Sequence, residues 1–255
     1  MARLGLWKRD RAHVSTAESL WRLIKGTPNI RRIVDIPSGE GLLARRLAEA
    51  GYAVTAADIR DVGEIAGCSV AMADMNRALP WPDASFDAVL SVEGIEHIES
   101  TFEFVRECHR ITRPGGALFI TTPNISSLRS RGRFLMTGFH NKAKVPLDET
   151  AHTPWQHINM LSFPELRYML HRTGYVIDAV ATNRVRGSSY LYAPLVPLAY
   201  VATRWVFARQ QRTAEERRIN EGCLRQLFAA PILYGEVTIV RAIKAEEATA
   251  TGEQR

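Results

Sequence analysis

The chain has 255 residues, 46% hydrophobic and 24% charged, which is an ordinary globular balance with room for one large domain or a domain with an appendage. Its three cysteines, Cys68, Cys108 and Cys223, are scattered without metal-ligand spacing and read as reduced thiols of a cytosolic protein. The opening MARLGLWKRDRAH lacks a signal-peptide core, and no apolar run reaches the roughly 18 residues of a membrane span. The net charge of +6 is either a compositional habit or the mark of an anionic partner: a phosphate-bearing substrate, an anionic membrane surface or a nucleic acid.

Taken in chain order, Ser15-Thr16-Ala17-Glu18 is a capping-box pattern predicting a short helix to about Lys25, broken by Gly26-Thr27-Pro28-Asn29. Ile30 to Ile36 reads as a buried strand. Leu42, Leu43, Leu47 and Ala48 recur at helical spacing, and Gly51 ends that helix. Strands follow at Tyr52 to Asp58, Ser69 to Ala73 and Phe86 to Ser91. A second capping box, Ser100-Thr101-Phe102-Glu103, opens a helix to about Ile111, which RPGG ends before a strand from Ala117 to Thr121. Ser162-Phe163-Pro164-Glu165 caps a further helix, ended by Gly174 before a sixth strand to Thr182. Residues 187 to 230 look helical and partly apolar, and GEVTIVRAIK (235 to 244) is a late strand. Strands alternating with helices predict a parallel sheet covered on both faces. The organisation is one domain over 1–244 with its core at 30–122, variable segments at 124–160 and 187–230, and a disordered tail at 245–255.

The stretch VDIPSGEGLLA joins the first strand to the second helix through a glycine turn, and a helix N-terminus behind such a turn is an anion site. Asp35 at the strand end would repel a pyrophosphate there. A zwitterionic sulfonium ligand reverses the sign: its cationic groups favour Asp35, and its carboxylate can still use backbone N–H groups. Asp58, at the end of the second strand, can accept ribose hydroxyls. Asp74 can accept from an adenine amine, and Met75 can pack on the ring. Each acid alone is more often a turn or cap residue; their order and spacing carry the signal.

These segments resemble a class I S-adenosylmethionine-dependent methyltransferase over residues 30 to 122. VDIPSGEG matches its first motif, TAADI its second-strand acid, ADM the adenine segment, LPWPDASFDAVLSVEGIEHI the fourth strand and RITRPGGALFITTPN the fifth. The resemblance implies an α/β Rossmann-like, seven-stranded, mostly parallel sheet with an antiparallel last strand and a helical C-terminal insertion. It implies S-adenosyl-L-methionine as cofactor, with Asp35, Gly39 and Gly41 at the methionine moiety, Asp58 and Ile59 at the ribose, and Asp74 and Met75 at the adenine. Pro37 and Ser91 are expected to face the same crevice. Pro37 departs from the motif, standing where a glycine is usual and removing one donor.

After the fourth strand the sequence reads Ser91-Val92-Glu93-Gly94-Ile95-Glu96-His97-Ile98. The Glu-x-x-Glu-His pattern is similar to that of ubiquinone-biosynthesis O-methyltransferases, where it is associated with a divalent cation. Three readings stay open. Glu93, Glu96 and His97 could hold Mg²⁺; His97 could be a metal-free general base oriented by Glu96 or Glu93; or the segment is a polar turn.

Downstream, Arg129, Arg131, Arg133, Lys142 and Lys144 interleave with Phe134, Leu135, Met136 and Phe139, and YLYAPLVPLAYVATRWVFARQQR is the most hydrophobic stretch. Pro194, Pro197 and Arg204 are expected to break that stretch short of a span. Together the two segments suggest a lipophilic or lipid-linked small-molecule acceptor, or a sugar of an envelope glycan, and a peripheral place on the inner face of an anionic membrane; packing against the core is the plain alternative. His157 and Arg133 are candidate acceptor contacts. RNA methylation lacks a basic-aromatic module, so a nucleic-acid partner is disfavoured. A nicotinamide-dependent oxidoreductase and a non-enzymatic cofactor-binding protein are the readings from other classes, and Asp35 argues against the former.

Overall fold

The computed structural model describes residues 11–143, 146–150, 155–210 and 212–245; the predicted tail beyond 245 lies outside them. Seven strands form one sheet: β1 (Arg32–Asp35), β2 (Ala53–Asp58), β3 (Cys68–Met72), β4 (Phe86–Val92), β5 (Thr112–Pro123), β6 (Tyr175–Ala181) and β7 (Val237–Lys244). Their order is β3-β2-β1-β4-β5-β7-β6. Neighbours are parallel from β3 through β5, and β7 runs antiparallel to both β5 and β6, as expected of the late strand.

Side chains alternate across a strand, so each central strand feeds two cores. Val34, Val89, Leu118, Ile120 and Val240 face one apolar cluster; Ile33, Leu90, Phe119, Val237 and Ile239 face the other. The first is covered by α3 (Thr101–Ile111) through Phe104, Val105, Cys108 and Ile111, and by α5 (Phe163–Arg172) through Phe163, Leu166, Met169 and Leu170. The second is covered by α1 (Arg11–Lys25) through Leu20 and Ile24, and by α2 (Leu42–Glu49) through Ala44 and Leu47. Both faces are thereby dry, which is what a parallel sheet requires.

Of the three predicted capping boxes, one forms. Ser162 Oγ accepts from the Glu165 N–H, and a Glu165 carboxylate oxygen accepts from the Ser162 N–H at 2.8 Å. At Ser100 the helix starts where expected, but the side chain makes no cap bond; its N–H is taken by Asn76 instead. At Ser15 the expectation is corrected: α1 runs through it from Arg11, and Glu18 pairs with Arg46 at 3.0 Å rather than reaching back to a cap.

The helical C-terminal insertion is present. A 3-10 helix (Gly187–Leu195) runs into α6 (Val196–Gln210), followed by α7 (Ala214–Leu227) and α8 (Ala230–Tyr234). The prolines do not interrupt it as predicted. Pro194 lies inside the 3-10 helix and Pro197 in the first turn of α6, a position that suits the fixed φ of proline. Gly187–Arg209 is thus one helical run of 23 residues, long and apolar enough to cross a membrane by length and composition alone.

Candidate active site

The order of the sheet reverses between β1 and β4, and ligands of such sheets bind outside the carboxyl ends of the strands at that point. The glycine turn leaves β1 there. Gly39 and Gly41 adopt φ of 54° and 71°, a left-handed backbone that glycine takes without a Cβ clash. A Cβ on Gly41 would come within 2.3 Å of Ile65, whereas Gly39 has open space on that side, as a ligand-facing turn needs. The Gly39 N–H donates to Asp58 Oδ2 at 3.1 Å, so the turn and the second-strand acid are tied before any ligand arrives.

Asp35 is 2% exposed, and its Oδ1 has no hydrogen-bond partner. Burial, and then the charge of Asp58, push its pKa up to about 7. An orphaned buried carboxylate that is reluctant to ionise lacks a cation. That is the test the expected cofactor had to meet, and an ammonium-bearing ligand fits it where a pyrophosphate does not. Ser91, next to last in β4, adds a buried hydroxyl without a partner.

Pro37 follows a cis peptide bond, and its role lies in packing. A Cβ on Gly94 would come within 2.3 Å of Pro37 Cδ and 3.4 Å of Met75 Cε. The proline ring and Met75 therefore press on Gly94, locking the β1 turn against the β4 turn. Met75 is accordingly buried in the core, while Ile59 is half exposed beyond β2. Asp74 spends its oxygens locally, Oδ1 accepting from the Asn76 N–H at 2.9 Å and Oδ2 facing Arg77 at 3.3 Å.

Beyond β4, Glu93 holds a φ of 49°, rare for a residue with a side chain. Its N–H donates to both the carbonyl and the hydroxyl oxygen of Thr121, each at 3.0 Å, which fixes the strained turn to β5. A 3-10 turn (Ile95–His97) follows. Glu96 points inward and is fully buried beside Glu93 and Thr122; burial, and then Glu93, raise its pKa to about 8. It is a neutral acid at pH 7 and does not orient His97.

The orienting group is the backbone of Gln156, whose carbonyl lies 3.0 Å from His97 Nδ1. A carbonyl only accepts, so Nδ1 carries the proton and Nε2 is left as the base. Burial lowers the His97 pKa, so the ring is neutral at pH 7. His157 packs edge-on against it with ring centroids 4.7 Å apart, and burial, His97 and Lys142 push the His157 pKa down to about 4. Asn159 makes this possible: its N–H donates to the Glu96 carbonyl at 3.0 Å and its Nδ2 to the Ile98 carbonyl. The sequence singled out His157 but gave no anchoring role to Gln156 or Asn159, because the groups they bind, His97 and the carbonyls of Glu96 and Ile98, are remote in sequence.

The metal expectation changes accordingly. Among the described residues, the potential ligand atoms that lie within 4.8 Å of one another belong to Glu96, His97 and His157, not to Glu93, Glu96 and His97. Glu93 is engaged with Thr121 Oγ1 at 3.4 Å. Two imidazoles and one carboxylate are a poor match for Mg²⁺, which prefers oxygen ligands. Arg133, the second acceptor candidate, lies on α4 (Leu128–Thr137), next to the Gly132 that packs on Tyr192.

One link was not foreseen. Arg60 contacts Asp58 Oδ1 at 3.4 Å and lies under Trp155, 4.6 Å from the ring centroid, so the ribose-site acid is joined to the segment that carries His157.

Residues 34–120 match the family model described as a methyltransferase domain. The Ubiquinone biosynthesis O-methyltransferase of Methylocella silvestris is 40% identical over 102 residues, covering 36% of this chain and 40% of that protein. That of Sinorhizobium medicae is 31% identical over 141 residues, 48% of this chain and 57% of that protein. The chain thus matches about half the length of these curated relatives or less. Among solved structures, a SAM dependent methyltransferase from Archaeoglobus fulgidus superposes with a TM-score of 0.55 over 92% of this chain and 94% of that one, at 21% identity, a likeness of fold.

Proposed function

On the premise that residues 34–120 are a methyltransferase domain, we propose that the protein is an S-adenosylmethionine-dependent O-methyltransferase of a lipophilic or lipid-linked small molecule, working at the cytoplasmic face of a membrane. The observation that carries the reading is Asp35, buried and unpartnered between the glycine turn and Asp58. Asp35 would hold the ammonium group, backbone N–H groups of the turn the carboxylate, and Asp58 the ribose hydroxyls. The cofactor supplies, when bound, a methyl group already activated by its sulfonium.

What remains for the chain is to align an acceptor oxygen and remove its proton. His97 Nε2 does the second, because Gln156 holds the other nitrogen protonated. The rate should therefore fall as pH drops through the depressed His97 pKa, below the ordinary value near 6.5. Glu96, neutral at pH 7, puts no carboxylate charge beside the base. The O-methyltransferase relatives favour oxygen as the acceptor atom.

The membrane part rests on surface chemistry. Leu135 and Met136 on α4 are 83% and 81% exposed, and Leu191 and Leu198 on the 3-10 helix and α6 are 80% and 70% exposed. Exposed aliphatic residues in such number mark an interaction surface, and the flanking arginines suit anionic lipid. Calorimetry decides the cofactor: S-adenosylhomocysteine should bind at micromolar concentrations and NADH should not, and the reverse result would sink the proposal. Transfer of a labelled methyl group into the lipid fraction of a cell extract, against the aqueous fraction, tests the acceptor class.

A further inference from the structure

A polar cavity of about 160 Å³ opens between the end of β5, the start of α4 and the start of the 3-10 helix, with none of the proposed cofactor residues in its lining. It is lined by Ser127 and Arg129 at the start of α4, Lys142 after it, Arg184 and Arg186 before the 3-10 helix, and Glu236 before β7. All three guanidiniums converge on one carboxylate: Arg129 lies 3.5 Å from Glu236 Oε1, and Arg184 and Arg186 each contact a Glu236 oxygen directly. An antiparallel bridge between Val185 and Gly235 fixes this arrangement in the backbone.

The charge does not balance. Three guanidiniums share one acid, Lys142 adds a fourth positive charge to the lining, and Arg129 and Arg184 are only 24% and 31% exposed at their side chains, so water screens their excess charge incompletely. Evolving such a cluster for stability alone is poor economy, since like charges held together oppose folding. A bound oxyanion removes the excess, and guanidinium groups match phosphate oxygens in fork geometry. Asn124 lines the same cavity with its amide orientation fixed, because Nδ2 faces the carbonyls of Pro231, Ile232 and Gly235; its buried Oδ1 is left without a partner. A hydroxyl next to the anion would satisfy it.

Lys142 connects this cavity to the chemistry, for its charge also reaches Glu96 and His157. Two elements with exposed aliphatic side chains, α4 with Leu135 and Met136 and the 3-10 helix with Leu191, both start at the cavity rim.

We infer that this cavity binds the phosphate group of a phosphorylated acceptor and so positions the acceptor hydroxyl toward His97. The inference deepens the methyl-transfer reading and rests on it for the role, though not for the binding itself. The phosphate could belong to a water-soluble ester or to a lipid headgroup whose tail follows the apolar helices.

The test is calorimetry on the full chain, with and without S-adenosylhomocysteine, titrating inorganic phosphate, glycerol 3-phosphate, dihexanoyl phosphatidic acid and dihexanoyl phosphatidylcholine. The phosphates are expected to bind, and phosphatidylcholine not. The double variant Arg129→Gln, Arg186→Gln should weaken phosphate binding by about tenfold or more, because it removes two charge-assisted contacts, while leaving S-adenosylhomocysteine affinity unchanged. Lys142→Gln, at an exposed position that folding does not depend on, should weaken it by about threefold. A clear preference for phosphatidic acid over glycerol 3-phosphate assigns the lipid source; equal affinity assigns the soluble ester. If phosphate and both esters bind more weakly than about 10 mM, or if the charge variants bind them as the unaltered chain does, the inference is overturned. Loss of S-adenosylhomocysteine binding in the unaltered chain would instead remove the methyl-transfer reading and leave the phosphate titrations to be judged alone.

Discussion

The two halves of the molecule solve the problem of placing a functional side chain in different ways. Before Pro123, each residue proposed to face the cofactor sits at or just beyond the end of a strand or in the turn that follows it: Asp35, Asp58 and Ser91 are placed by the sheet register itself. After Pro123, the residues proposed to face the acceptor ride on segments joined to that frame by a few long-range bonds. His157 reaches His97 only because Asn159 and Gln156 clamp to the 3-10 turn, and Arg184 and Arg186 reach Glu236 through a single bridge. The first half is fixed by repeated geometry and the second by particular contacts, so substitutions should be felt locally in the first and across segments in the second.

The largest effect should come where the halves meet. His97→Ala is expected to lower kcat by about a hundredfold to ten-thousandfold, the range of a lost general base, with S-adenosylhomocysteine affinity unchanged by calorimetry. A matching loss of affinity would place His97 on the cofactor side and erase the division. Next, Asp58→Ala should weaken that affinity by about a hundredfold, since each hydrogen bond to a charged acceptor is worth about 1.5–3 kcal/mol. Unchanged affinity would refute the ribose assignment.

A smaller and graded effect concerns Asp35. Its pKa in the folded chain is raised to about 7, so the folded state without ligand loses stability as pH rises from the ordinary carboxylate range through 7. A cationic ligand needs the ionised form. Affinity for S-adenosylmethionine should thus rise by roughly tenfold per pH unit up to about 7 and flatten above it, with proton release visible as a buffer-dependent heat. Flat affinity from pH 5 to 8 would show that Asp35 does not meet the cation. The smallest effect on the fold should be that of Leu135→Ser with Met136→Ser. Both side chains are largely exposed, so stability should move by no more than about 0.5 kcal/mol for each, while sedimentation with anionic vesicles should fall severalfold. A vesicle-binding level equal to the unaltered chain would return those residues to the status of incidental surface.

The same division explains what could be read from the sequence. Strand positions in the first half were legible within a residue or two, because period-two burial and glycine turns are local signals; β5 began earlier than expected, at Thr112, since RPGG enters the sheet rather than preceding it. The position of Asp35 at the end of β1, before the glycine turn, was legible for the same reason. The role of Pro37 was not, because its partner Gly94 lies beyond three further strands. The identity of His97 as a candidate was legible, but its orienting partner was not: a carboxylate four residues or fewer away looked sufficient, and the fold buries Glu96 and recruits a carbonyl from Gln156. The capping patterns at Ser15 and Ser100 misled because tertiary partners, Arg46 and Asn76, compete for the same groups. The apolar run was read as broken at its prolines, whereas Pro197 falls in a first turn that tolerates it.

The carbonyl of Gln156 has one more consequence, for how such a protein can diversify. The segment that presents His157, the proposed acceptor contact, is also the segment that sets the tautomer of His97, the two duties falling on adjacent residues. A lineage cannot exchange this loop for one suited to a new acceptor without also resetting its base. With the roles proposed for His97 and His157, acceptor choice and proton affinity are inherited as a single trait, and a chimera carrying a foreign segment over 155–160 should show a displaced acid limb in its pH–rate profile even toward the original acceptor.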